Sequence, residues 1–175
     1  ITGAGAVTKT GGGALTISSD NDYAGGTTVS AGTLVAGHNN ALGTGSVTVD
    51  GGTLTVTDGV TLTNGVSFTS GTVGGSGAIT DDLTIDDGMT ISPGDSPGTF
   101  GTGAETWEGD GTYEWEINDL NGTAGSDPGW DLLNVGGQLT ITATDGDEFI
   151  IDIISLTTGN NPGDAANVAT DQFSV

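Results

Sequence analysis

Cysteine and arginine are both absent from this 175-residue chain. Without thiols there are no disulfide staples, no thiol redox chemistry and no Cys-based metal sites. One lysine, Lys9, stands against 23 acids, which gives a net charge of -22. Nucleic acid is bound through Lys and Arg on its phosphates, so nucleic-acid partners are excluded. An anionic membrane surface repels the chain for the same reason. No apolar run approaches the roughly 20 residues that span a bilayer, so membrane insertion is not expected. Residues 1–20 begin at Ile1 and lack a charged-then-apolar signal pattern. This reads as a mature or excised segment of a longer product.

Helical periodicity is also missing. The helix formers Glu, Gln and Arg do not occur before residue 105, and Lys occurs once. In their place are 34 glycines and many short runs of Val, Leu, Ile and Thr. A motif of glycine, a small residue and a large aliphatic recurs as Gly13-Ala14-Leu15, Gly32-Thr33-Leu34, Gly52-Thr53-Leu54 and Gly71-Thr72-Val73, at spacings of 19, 20 and 19 residues. Looser echoes stand at Gly88-Met89, Gly98-Thr99-Phe100 and Gly111-Thr112-Tyr113. A period of about 20 residues is a solenoid signature. The β-branched composition makes it a β-solenoid.

The spacing predicts mini-strands at Ala14 to Ile17, Thr27 to Val29, Val47 to Val49, Leu54 to Val56, Val60 to Leu62 and Val66 to Phe68. Alternation such as Leu54-Thr55-Val56 and Leu83-Thr84-Ile85 sends aliphatics to one face and Thr to the other. Glycine pairs supply the bends. One period then makes one coil, coils stack at about 4.8 Å by strand pairing, and the aliphatics form an interior ladder. The expected fold is all-β, a parallel β-helix with coils of about 20 residues. The open ends, at Ile1 and near Val175, expose strand edges that invite end-to-end association.

Residues 5–37 carry Thr8-Lys9-Thr10-Gly11-Gly12-Gly13, Leu15-Thr16-Ile17, Tyr23-Ala24-Gly25-Gly26-Thr27-Thr28-Val29 and Ala31-Gly32-Thr33-Leu34. This stretch resembles the strand repeat associated with bacterial autotransporter passengers. Residues 91–100, ISPGDSPGTF, resemble a Pro-Gly-x-Ser-Pro-Gly turn of such passengers. The resemblance implies a secreted, right-handed β-helix displayed outside a Gram-negative cell. The membrane barrel of such proteins is not seen in these 175 residues.

Composition shifts near residue 101. Trp107, Trp115, Trp130 and all the glutamates follow it. Residues 1–100 read as repeat coils. Residues 101–175 read as wider coils ending in a C-terminal cap, with a small β-sandwich as the alternative. Residues 125–135 also resemble late passenger sequence, which favours continuity. The run Phe149-Ile150-Ile151-Asp152-Ile153-Ile154 suggests a strand buried on both faces.

Many β-helices act on polysaccharides, which makes the acids candidates for catalysis. Elimination from an acidic sugar calls for cationic groups that the chain lacks. Glycoside hydrolysis needs two carboxylates, one held protonated. The candidates are Asp81-Asp82, Asp86-Asp87, Glu114 with Glu116, and Asp145 with Asp147, all of which read first as turn formers or solvated faces. No catalytic, cofactor-binding or metal residue is assigned. Asp20-Asn21-Asp22 and Asp145-Gly146-Asp147-Glu148 offer oxygen donors for a structural calcium ion. His38 reads as a surface loop residue. Trp107, Tyr113, Trp115 and Trp130 read as core or cap, or as sugar-stacking groups if exposed.

The sequence therefore points to a non-enzymatic extracellular structural module: a stalk, a surface coat or an adhesin segment. One alternative is a subunit of a self-assembling filament built by end-to-end strand pairing. Another is a carbohydrate-binding or glycoside-hydrolysing β-helix. Expected partners are further copies of the chain, surface or matrix components, or glycans.

Overall fold

A three-residue run of Val and Thr cannot satisfy its backbone alone. In this computed structural model, which describes residues 1–168, each run pairs with the run one period away, in parallel. The described chain is a β-solenoid without helix, built of stacked coils about 20 residues apart.

Each coil presents up to three faces. The first face stacks β1 (Val7–Lys9), β3 (Thr27–Val29) and the leading halves of β5 (Val47–Val56) and β7 (Val66–Gly75). After a break in strand pairing beyond β7, a separate three-stranded ladder carries on through β9 (Leu83–Ile85), β12 (Glu105–Trp107) and β17 (Leu139–Ile141). The second face stacks β2 (Ala14–Ile17), β4 (Thr33–Ala36), the trailing halves of β5 and β7, β10 (Met89–Pro93), β13 (Thr112–Ile117) and β18 (Ile150–Ser155). The third face holds β6 (Thr61–Leu62), β8 (Ala78–Ile79), β11 (Thr99–Thr102) and β16 (Leu132–Val135). Two short strands, β14 (Thr123–Ala124) and β15 (Gly129–Trp130), make a lateral addition beside β13.

The core is the set of ladders that these registers create. On the second face Leu15, Leu34, Leu54, Val73, Ile91, Tyr113 and Ile151 lie one above another. Leu34, Leu54, Val73 and Ile91 are fully buried. Burial of each such side chain is worth about 1.5–3 kcal/mol, but only where a coil lies on both sides. The corner before this face turns through a positive φ in successive coils, at Gly11, Gly32, Gly51, Gly71, Gly88 and Asp110. At Gly32 the requirement is steric as well, because a methyl group would collide with the carbonyl oxygens of Gly11 and Gly13.

The motif spacing follows this ladder with two departures. Met89 pairs with Gly71, so the ladder residue after Val73 is Ile91. Gly98-Thr99-Phe100 belongs to β11 on the third face, where Phe100 is fully buried. More residues separate the paired strands in the later coils. The step from Thr112 to Ile150 is nearly twice an early one. Loop 118–131 projects sideways there, and residues 156–168 return beside it through Leu120–Ala166 and Ala166–Asn118 backbone bonds. The expected cap extends to Val175, and residues 169–175 lie outside the described part.

Candidate functional site

The two ends of the stack differ. At the first coil the outer edges of β1 and β2 have no strand partner among the described residues. Lys9 is the last residue of β1 and points inward above Val29. Its stem covers the ladder below. Its amine donates to the carbonyls of Gly11 at 2.6 Å, Ala31 at 2.9 Å and Thr10 at 3.2 Å. This is a snorkelling side chain that roofs an apolar interior and satisfies corner carbonyls at once.

At the last coil the outer edges of β16, β17 and β18 are likewise unpartnered among the described residues. Here the inward residues are aliphatic and uncovered. Ile141 is 61% exposed, Ile151 54% and Ile153 65%. They extend the ladders Ile85–Trp107–Ile141, Ile91–Tyr113–Ile151 and Trp115–Ile153. The expectation that Phe149 to Ile154 is buried on both faces is therefore corrected. The strand has core chemistry, but no described residue stacks on its outer side. The aromatics lie one coil inside this end. Trp107 is buried and stacks on Phe149 at 4.4 Å between ring centroids. Together with Ile141, Ala143, Thr144 and Ile151 they line a cavity of about 370 Å³.

Two buried carboxylates sit just behind this face, and the sequence reading did not single out either one. Glu105 takes an aliphatic position, paired with Leu83 below and Leu139 above. It accepts hydrogen bonds from Thr102 Oγ1 and Trp107 Nε1, both at 2.7 Å. Burial pushes its carboxyl above the ordinary range, against those two bonds. The signal was present: Glu105-Thr106-Trp107 repeats the alternation of Leu83-Thr84-Ile85. Asp131 accepts from the backbone N–H of Gly98 at 2.8 Å and of Glu116 at 2.7 Å. It thus ties the Pro-Gly turn to β13 and β16. Burial, opposed by those bonds and aided by Glu116 and Glu114, pushes it up to about 7. Burial and the neighbouring Glu114 also raise Glu116. Burial, with Asp131 and Glu105 nearby, keeps the Tyr113 phenol neutral far above its usual range.

The other acids considered for chemistry are mostly tied to neighbouring backbone or side chains. Asp81 accepts from Val66 N–H at 2.6 Å and Asp82 from Ala104 N–H at 2.8 Å, so this pair clips adjacent coils. Asp86 bonds the N–H of Asp87, and Glu114 accepts from Ser92 Oγ. In the first calcium candidate, Asn21 is buried and spends its amide on the carbonyls of Ser19 and Ala41, while Asp20 holds Asn40. In the second, Thr144 and Asp147 close a turn and Glu148 accepts from Gly146 N–H. Among the described residues no three His, Asp or Glu side chains gather as a metal centre requires. His38 accepts from Asn40 N–H through Nδ1 in its loop. Tyr113 is buried, and Trp115 and Trp130 are half-buried.

Comparison with known families agrees with the repeat geometry. Residues 7–36, which cover β1 to β4, match the passenger-associated-transport-repeat family. The matched stretch is thus a little more than one coil, and it carries the corner glycines Gly11 and Gly32. The resemblance to passenger-type autotransporter repeat proteins holds over that stretch. No curated protein and no solved structure matches the chain.

Proposed function

We propose that this chain is a non-enzymatic structural segment of passenger type, a β-solenoid rod that works outside a bacterial cell as a stalk, coat or adhesin segment. The observation that carries the reading is the coincidence of the repeat match with the coil geometry. Residues 7–36 carry the passenger repeat, and the same register then propagates to residue 155. That family supports a secreted or cell-surface location. The charge of -22 keeps a rod soluble and keeps neighbouring rods apart side by side. Asp81, Asp82 and Asp131 are engaged in holding backbone, and Glu105 in holding two side chains. This is what a scaffold needs from its acids.

The test is display. Residues 1–175, placed between an export signal and an outer-membrane barrel, should reach the cell surface folded and resist added protease. The purified chain should leave a panel of neutral and acidic glycans intact. Retention inside the cell as unfolded protein would overturn the reading. So would glycan cleavage abolished by Glu114→Gln or Glu116→Gln.

A further inference from the structure

We propose that the outer side of the second face binds ice, through a ladder of threonines spaced like the water lattice it meets. The inference goes beyond the structural role proposed above and does not rest on it. It draws on the middle of the stack, where each coil concerned has a neighbour on both sides.

The register builds the ladder. Thr33 pairs with Thr53, Thr53 with Thr72, Thr72 with Thr90, and Thr90 with Thr112. Five successive coils thus put threonine at one outward position, and each of the five is half-buried. Strand stacking sets them about 4.8 Å apart, so the row is about 19 Å long. Two residues further along each strand, about 6.6 Å away, a second column holds Val35, Thr55, Gly74 and Ser92. Pairing stays in register throughout both columns.

Three properties define what this surface can hold. First, its hydroxyls are available. Thr27, Thr57, Thr69 and Thr102 spend theirs on carbonyls or carboxylates, whereas among the described residues the five ladder hydroxyls have no protein partner. Each both donates and accepts, with a methyl group beside it. Second, the surface is neutral. The segments Thr33–Ala36, 53–56, 72–75 and Met89–Pro93 carry no charged residue in a chain of net charge -22. Third, the same segments carry no aromatic residue.

These properties select the occupant. Anionic polymers are repelled by the chain as a whole, and cationic ones are drawn to its acids elsewhere. Sugars are gripped by aromatic platforms and carboxylates, and the four segments offer neither. A second copy laid on the same face brings two charges of -22 together. A row of equal hydroxyls suits a neutral ligand that repeats at both spacings and both donates and accepts at each repeat. The oxygens of ice recur on its prism plane at nearly these two distances. Threonine is stiff at χ1, so the array is ordered before the lattice arrives, which lowers the cost of binding.

The test uses the purified chain and ice alone. At millimolar concentration the chain should hold a seed crystal from growing over a measurable gap below its melting point. During slow freezing it should be enriched in the ice, from which ordinary solutes are excluded. Thr72→Lys and, independently, Thr53→Lys should each abolish both effects while keeping the parent's circular dichroism. Thr84→Lys adds the same charge at an exposed position of β9 outside this ladder and should abolish neither. Exclusion of the parent chain from ice would overturn the proposal. So would full activity in both ladder variants, or an equal loss in Thr84→Lys. Binding to crystalline cellulose without binding to ice would assign the ladder to a glycan and overturn it as well.

Discussion

The coils from Val47 to Pro93 and the coil from Leu132 to Ser155 use the same alternating aliphatics in opposite circumstances. In the former, Leu54 and Val73 have a coil above and below and lose all contact with water. In the latter, Ile151 and Ile153 continue such ladders with, among the described residues, a coil on one side only. The difference shows where stability resides in a solenoid. A coil contributes little by itself, and its apolar residues count when a neighbour covers them. The first coil is also terminal, yet it solves the problem differently, with glycine, alanine and the roof of Lys9.

The sharpest way to break this comparison is to truncate one ladder at two heights. Leu54→Ala should cost about 2–5 kcal/mol, the range for a buried leucine. Ile151→Ala should change monomer stability by about 0.5 kcal/mol or less, as a surface substitution does. Urea melts at low protein concentration check both, and equal losses would refute the distinction. Next in size is Lys9→Met, which keeps an apolar stem and removes the amine. Three corner carbonyls lose their donor, and the first coil should weaken by about 1–3 kcal/mol. Proteolysis or exchange in residues 1–19 would report it.

A smaller effect concerns pH. Burial raises the folded-state pKa of Asp131 to about 7, and those of Glu105 and Glu116 also rise. The folded chain thus holds more protons than the unfolded chain between about 4 and that value. Stability should therefore fall as pH rises through this window and level off above it. Thermal melts from pH 5 to pH 8 should show the decline, and Asp131→Asn should flatten it. The smallest effect is expected at Asp110, which turns the corner with φ 58° where earlier coils use glycine. Asp110→Gly relieves that conformation and should raise the melting temperature slightly, by up to about 1 kcal/mol in stability.

Much of the fold was legible because a solenoid repeats its instructions. β2 and β3 match the strands that alternation marks at Ala14 to Ile17 and Thr27 to Val29. The repeat slips at Gly88 because the preceding coil is shorter, and pairing rather than motif spacing selects Ile91. The end face was misread at Phe149 to Ile154 for a related reason. Residue type records what a strand is suited to cover, while burial depends on whether another coil arrives. Glu105 escaped notice because a carboxylate is assigned to water by habit. Only the register shows that it replaces an aliphatic and that Thr102 and Trp107 meet its oxygens. Asp131 was hidden because its partners, Gly98 and Glu116, are distant in sequence and adjacent only after coiling.

Hydrogen exchange on the dilute monomer tests the central claim most directly, namely a continuous stack that is closed by neighbours in its middle and, among the described residues, open at the last coil. In β18 the Ile150 amide donates back to Gly111, at 2.8 Å, and Leu156 donates to Ile117, also at 2.8 Å. The alternate amides of Ile151 and Ile153 point to the open side by the geometry of a parallel strand. Those two should exchange rapidly while the amides of Leu54 and Val73 stay protected. Equal protection at Ile151, Ile153 and Leu54 in the monomer would mean that the face is covered, and would contradict the account.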